Sequence, residues 1–137
     1  MLLASRGIVQ GSVFSSSLES SDDNALNQSV EKAKKTFKGN EVHGKTLGII
    51  GLGAIGSMVA QSAASLGMKI IGYDPHISID AAWRLPSDVE KASSIPALLK
   101  KSDYVSIHVP LIDDTKNLID SDAFMVMKTG TKLINLS

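Results

Sequence analysis

The chain has no cysteine, which excludes disulfides, thiolate nucleophiles and zinc–thiolate sites. It has no apolar run approaching the roughly 20 residues that a membrane-spanning helix needs. Neither charge dominates: 14 basic residues face 14 acidic ones, with no long basic run. Neither a nucleic-acid partner nor a membrane surface is therefore expected. The three histidines, His43, His76 and His108, show no ligand spacing, and no metal is expected. Met1 to Arg6 lacks the features of a secretory signal, so the expected compartment is the cytoplasm. No internal repeat is visible. At 137 residues the sequence is one domain or a piece of one.

What is present is concentrated between Gly44 and Pro75. Thr46 to Ile50 is an apolar run of the kind found in a strand buried on both faces. Gly51, Gly53 and Gly56 follow in G-x-G-x-x-G spacing. Ile55, Val59, Ala63 and Leu66 then recur near the helical period, and Gly67 stops that helix. Lys69 to Tyr73 reads as a second strand, ended by Asp74. Each residue type has a chemical purpose. Gly51 permits the tight turn out of the strand, Gly53 lets bare backbone approach a pyrophosphate, and Gly56 lets the helix pack close to the sheet. The amides and positive dipole end of the helix attract phosphate. Asp74 stands at about the separation from Gly51, ~20 residues, expected of an acid that binds the adenosine ribose. A carboxylate there repels a 2′-phosphate, and Pro75-His76-Ile77 contains no Arg or Lys. NAD is therefore expected rather than NADP. The strand–turn–helix context and the acidic partner give the glycine motif its specificity; the alternative is a glycine-rich turn in some other α/β protein.

Residues 1–40 differ from the rest. Ser12 to Asn27 is rich in Ser, Asp and Asn and offers little to a core. Val30 to Phe37 reads as a short basic helix begun by Ser29. After Asp74 the pattern predicts a short helix over Ser78 to Arg84 and a minimal strand near Val89. A helix capped by Ser94 over Ile95 to Lys101 and a strand over Tyr104 to Val109, ended by Pro110, come next. A helix from Asp120 or Ser121 to about Lys128 and a strand over Thr131 to Leu136 complete the pattern. Helices alternating with buried strands predict an α/β fold, a Rossmann-type parallel sheet with helices on both faces. Gly51, Asp74, Pro110 and Ser137 all fall at the carboxyl ends of strands, so four strands are expected to point at one crevice. The expected division is an interdomain helix and loop remnant over 1–40 and an incomplete dinucleotide-binding domain over 41–137.

With these residues in view, the chain resembles the D-isomer-specific 2-hydroxyacid dehydrogenases. The segments HGKTLGIIGLGAIG, GMKIIGYDP, LLKKSDYVSIHVPLIDDTKNLI and MKTGTKLINLS carry the resemblance, in the order and spacing of that family. The stretch ISIDAAWRLPSDVEKASSI resembles the phosphoglycerate dehydrogenases among them, while glyoxylate or hydroxypyruvate reductases and D-lactate dehydrogenases share the broader motifs. The resemblance implies cofactor contacts. Ala54 and Ile55 would offer amides to the pyrophosphate, and Asp74 would hold the ribose. Val109 and Pro110 would line the adenine side, Thr115 would lie close to the cofactor, and Leu136 and Ser137 would run beneath the nicotinamide half. It also implies an Arg-Gly directly after the position of Ser137, whose Arg binds the substrate carboxylate, and a later Glu and His that handle the hydroxyl proton. On that comparison the chain stops one residue before the Arg and lacks most of the front of the substrate domain. MLLASR resembles the interdomain helix. A truncated, catalytically inactive NAD-binding portion is therefore expected, with no catalytic residue of its own.

Several tempting residues have plainer readings. His108 is read as part of the strand end that shapes the adenine pocket, not as a base. Asp113 and Asp114 are read as solvated loop carboxylates, Asp103 as a residue that orients the start of a strand, and Trp83 as packing in a surface niche. Lys32, Lys34, Lys35 and Lys38 are read as a solvated helix face; the resemblance adds homodimerisation as a further use of this region. The alternative to an enzyme is a non-catalytic dinucleotide-binding or interaction module.

Overall fold

A computed structural model describes residues 1–18 and 22–137. Part of the Ser12–Asn27 segment, residues 19–21, therefore lies outside the described residues. The chain divides into two compact units, Met1–Glu41 and Val42–Ser137.

The first unit holds α1 (Leu2–Ser5), α2 (Ile8–Ser16) and α3 (Asp23–Thr36). Two of these correct the sequence reading. Helix α2 was not anticipated, and α3 begins seven residues before Val30. The polar stretch supplies a cap where loop was expected. The Asp22 carboxylate accepts the Asn24 amide at 2.9 Å, Asp23 stands in the first turn, and Lys34 and Lys35 stand in the last. Both charge placements suit the helix dipole. Phe14 and Phe37 pack with ring centroids 5.6 Å apart.

The second unit runs β1 (Thr46–Ile50), α4 (Ala54–Ser65), β2 (Lys69–Tyr73), α5 (Ile79–Trp83), β3 (Glu90–Lys91), α6 (Ile95–Lys101), β4 (Tyr104–Ile107), α7 (Ser121–Val126) and β5 (Lys132–Asn135). A single 3₁₀ turn, Asp113–Thr115, lies between β4 and α7. All strand pairs are parallel and the order is β3-β2-β1-β4-β5. The expected elements are present, several shorter than the apolar patterns that announced them. β4 stops at Ile107 because Pro110 cannot extend the ladder, although the His108 amide still donates to Ile50 O at 2.8 Å.

Side chains alternate across the sheet. Ile50, Ile71, Val105 and Ile107 join Leu98 and Leu99 of α6 and Ala123 of α7 in one buried cluster. Their neighbours Leu47, Ile49 and Ile70 are buried as well, and α4 packs on β1 and β2 through Ser57, Ala60 and Ala63. The sheet is thus covered on both faces. Among the described residues no helix is long and apolar enough to cross a membrane.

Candidate functional site

The chain leaves β1 toward β2 and β3 on one side, then returns to place β4 on the other. The carboxyl ends of β1 and β4 therefore diverge, and crevices for ligands open at such reversals. A cleft of about 540 Å³ lies there, lined by Gly51 and Gly53 after β1, Asp74 after β2, and His108, Val109, Pro110 and Thr115 after β4.

The three glycines of the turn do three different things. Gly51 has φ +90, and a Cβ there would meet His108 O at 2.7 Å. A Cβ on Gly56 would stand 2.0 Å from Gly51 O, so the helix approaches the turn more closely than any side chain permits. A Cβ on Gly53 would meet nothing within 4 Å: its backbone borders open space. Gly53 is also the N-cap of α4, and no side chain caps the first turn. The amides of Ala54 and Ile55 thus begin a twelve-residue helix with its positive dipole end toward the solvent.

Asp74 is held by backbone on both oxygens. One accepts the Leu52 amide at 2.8 Å, the other the His76 amide at 2.9 Å. Each oxygen keeps a lone pair for a further donor. His108 lines the cleft with its Nε2 2.8 Å from Ser106 Oγ, and burial pushes its pKa below the ordinary histidine value. That burial favours the neutral imidazole. The Thr115 hydroxyl accepts the Ile112 amide at 2.9 Å and donates to Pro110 O, which fixes the loop that closes this side.

Of the eleven residues that the sequence singles out, Gly51, Gly53, Asp74, Val109, Pro110 and Thr115 share the cleft. Ala54 and Ile55 follow its glycine turn, and Gly56 is buried behind it. Ser137 lines a neighbouring cavity of about 360 Å³, which also touches Val109, Pro110 and Thr115. Leu136 lines neither cavity and is 83 % exposed. Sequence reasoning missed Ile95, at the start of α6, and Leu118, which supply apolar wall to the cleft. It also missed Lys91 and Ser93, which share a second recess with Asp74. No local motif marks any of these four; packing and strand pairing bring them in.

The comparisons give the family and the fold. The family model described as D-isomer specific 2-hydroxyacid dehydrogenase, NAD binding domain, matches residues 13–137. The chain is 42% identical over 102 residues to a D-3-phosphoglycerate dehydrogenase of Methanocaldococcus jannaschii, covering 74% of this chain and 19% of that protein. It is also 42% identical over 106 residues to a (S)-sulfolactate dehydrogenase of Chromohalobacter salexigens, covering 77% and 33%. The chain therefore spans between about a fifth and a third of these relatives. Among solved structures, apo D-lactate dehydrogenase from Escherichia coli superposes with a TM-score of 0.78 at 27% identity, covering 98% of this chain and 38% of that one.

Proposed function

The chain belongs to the D-isomer-specific 2-hydroxyacid dehydrogenases, as part of their NAD-binding domain, and from that premise we propose that its cleft is the dinucleotide site of an NAD-dependent oxidoreductase. The observation that carries the reading is the convergence of an uncapped helix start, a bare Gly53 backbone and an anchored Asp74 on one crevice.

The residues suit the cofactor. The Ala54 and Ile55 amides would meet the pyrophosphate over Gly53, where no side chain intervenes. Asp74 would accept the ribose hydroxyls with its remaining lone pairs while Leu52 and His76 hold it in place. Val109 and Pro110, with Ile95 opposite, would enclose the adenine. NAD, when bound, supplies the acceptor for a hydride from C2 of a 2-hydroxy acid. The chain's own contribution is binding, orientation and the exclusion of water from one side of the ring.

For the complete enzyme we propose 3-phosphoglycerate as the acid, at the start of serine synthesis, on the strength of the segment from Ile77 to Ile95. Glyoxylate, hydroxypyruvate and D-lactate are the alternatives. Relatives named for two different acids match at the same 42% identity, so identity over this part does not separate the acids. No residue of this chain is assigned to the substrate carboxylate, and the purified 137-residue chain is expected to bind NADH and to turn over nothing. Calorimetric titration with NADH tests the first half; no heat at millimolar ligand overturns it. Oxidation of 3-phosphoglycerate above the buffer background overturns the second.

A further inference from the structure

Asp74 borders two recesses. Beyond the main cleft, on the side away from the glycine turn, a second recess of about 540 Å³ is lined by Tyr73, Asp74 and Pro75 from one side and by Lys91, Ala92 and Ser93 from the other. Strand pairing builds it. Lys91 sits beside Gly72 in the parallel register of β2 and β3, and the Ala92 amide donates to Gly72 O at 2.8 Å. Gly72 and Asp74, two residues apart, lie on the same face of the sheet, and Lys91 shares that face with Gly72. Strand spacing and rise then put the Lys91 and Asp74 backbones roughly 8 Å apart, within the span of a lysine side chain. Gly72 contributes no side chain of its own, and Leu52 fills its place.

Lys91 has no competing partner. Its neighbour Glu90 points to the opposite face and pairs with Lys101. Among the described residues Lys91 itself makes neither an ion pair nor a side-chain hydrogen bond. An exposed ammonium without a carboxylate therefore stands over a recess whose other wall is the proposed ribose ligand.

We infer that Lys91 is a latent phosphate-binding residue: its ammonium is placed to receive a phosphate ester on the adenosine ribose, and the Asp74 carboxylate alone keeps that phosphate out. The inference rests on the reading of Asp74 as the ribose ligand. It departs from what the sequence suggests, because no basic residue follows Asp74 in Pro75-His76-Ile77. The base arrives from the next strand instead. Selection for NAD is then a matter of one side chain, and the chain carries a latent NADP site.

The test is calorimetric binding of NADH and NADPH to the full chain. The wild type, Asp74→Asn, Asp74→Asn/Lys91→Ala and Asp74→Asn/Lys91→Arg are compared. Asparagine keeps an acceptor for the Leu52 amide and removes the charge. Asp74→Asn should tighten NADPH. Adding Lys91→Ala should raise the ratio of NADPH to NADH dissociation constants about tenfold, the scale of one charge-assisted contact, and Lys91→Arg should restore it. Equal ratios with and without Lys91→Ala overturn the inference while leaving the NAD site standing. Failure of the wild type to bind NADH overturns both. Should Asp74→Asn not fold, Asp74→Ser with and without Lys91→Ala serves instead, titrated with 2′-AMP and 5′-AMP: a weakening on Lys91→Ala confined to 2′-AMP supports the inference, and its absence overturns it.

Discussion

The Asp74 carboxylate accepts the Leu52 amide at 2.8 Å, tying the end of β2 to the middle of the glycine turn. The acid that the sequence marks as a ribose ligand is thus also a strut of the loop that receives the pyrophosphate. Binding and local order share one side chain.

Asp74→Ala should therefore do two things. It should weaken NADH binding by about 1.5–3 kcal/mol, the range for hydrogen bonds to a charged group. It should also lower the unfolding midpoint, because the Leu52 and His76 amides lose their acceptor. Calorimetry and thermal unfolding on the same preparation separate the effects. Unchanged NADH affinity would show that the ribose lies elsewhere.

The glycines of the turn should part company under substitution. Gly53→Val adds atoms to open space and should leave stability within about 1 kcal/mol while abolishing NADH binding. Gly56→Ala drives a Cβ against Gly51 O and should destabilise the fold by about 1–3 kcal/mol. Urea unfolding measures both, and the reverse ranking would refute the assignment of roles.

Tyr104 is 1 % exposed, and its hydroxyl has no hydrogen-bond partner among the described residues. An unpaired buried polar group costs about 1–3 kcal/mol, so Tyr104→Phe should be neutral or stabilising. The ring stays beneath Lys132, whose Nζ lies 5.5 Å from its centroid. A substantial loss of stability in urea would reveal a partner for the hydroxyl.

Two groups contribute to the acid limit. Burial lowers the His108 pKa, so the folded chain binds that proton less readily than the unfolded one. The stability involved is complete above the ordinary value of 6.5 and is lost as pH falls through the folded pKa. Burial alone would raise Asp103, but the Thr46 amide at 2.8 Å, the Lys128 ammonium at 2.9 Å and the charge of Lys45 outweigh it and hold the pKa below 3.8. Its contribution is present above 3.8 and fades below that. His108→Gln should flatten the first limb of a stability–pH profile and Asp103→Asn the second. A wild-type profile level from pH 7 to pH 3 would contradict both.

Much of the site was legible because its parts are local. Gly51, Gly53 and Gly56 announce a turn by spacing, and Asp74 announces itself by its distance from them. Ser94, read as a cap, accepts the Ala97 amide at 3.3 Å. The start of α3 was misjudged because a polar stretch reads equally as loop or as a capped helix. The sequence marks Asp103 as orienting a strand, but its bridge from Thr46 to Lys128 joins residues 57 and 25 positions away.

By itself the sequence determined the alternation of strand and helix, the glycine turn and the acid at the end of β2, because hydrophobic period and backbone freedom act over a few residues. The tertiary structure alone decided which strands are neighbours: β4 beside β1, which opens the cleft, and β3 beside β2, which brings Lys91 to Asp74. Such pairings join residues distant along the chain, and they follow from how whole faces pack, which no short window of residues contains.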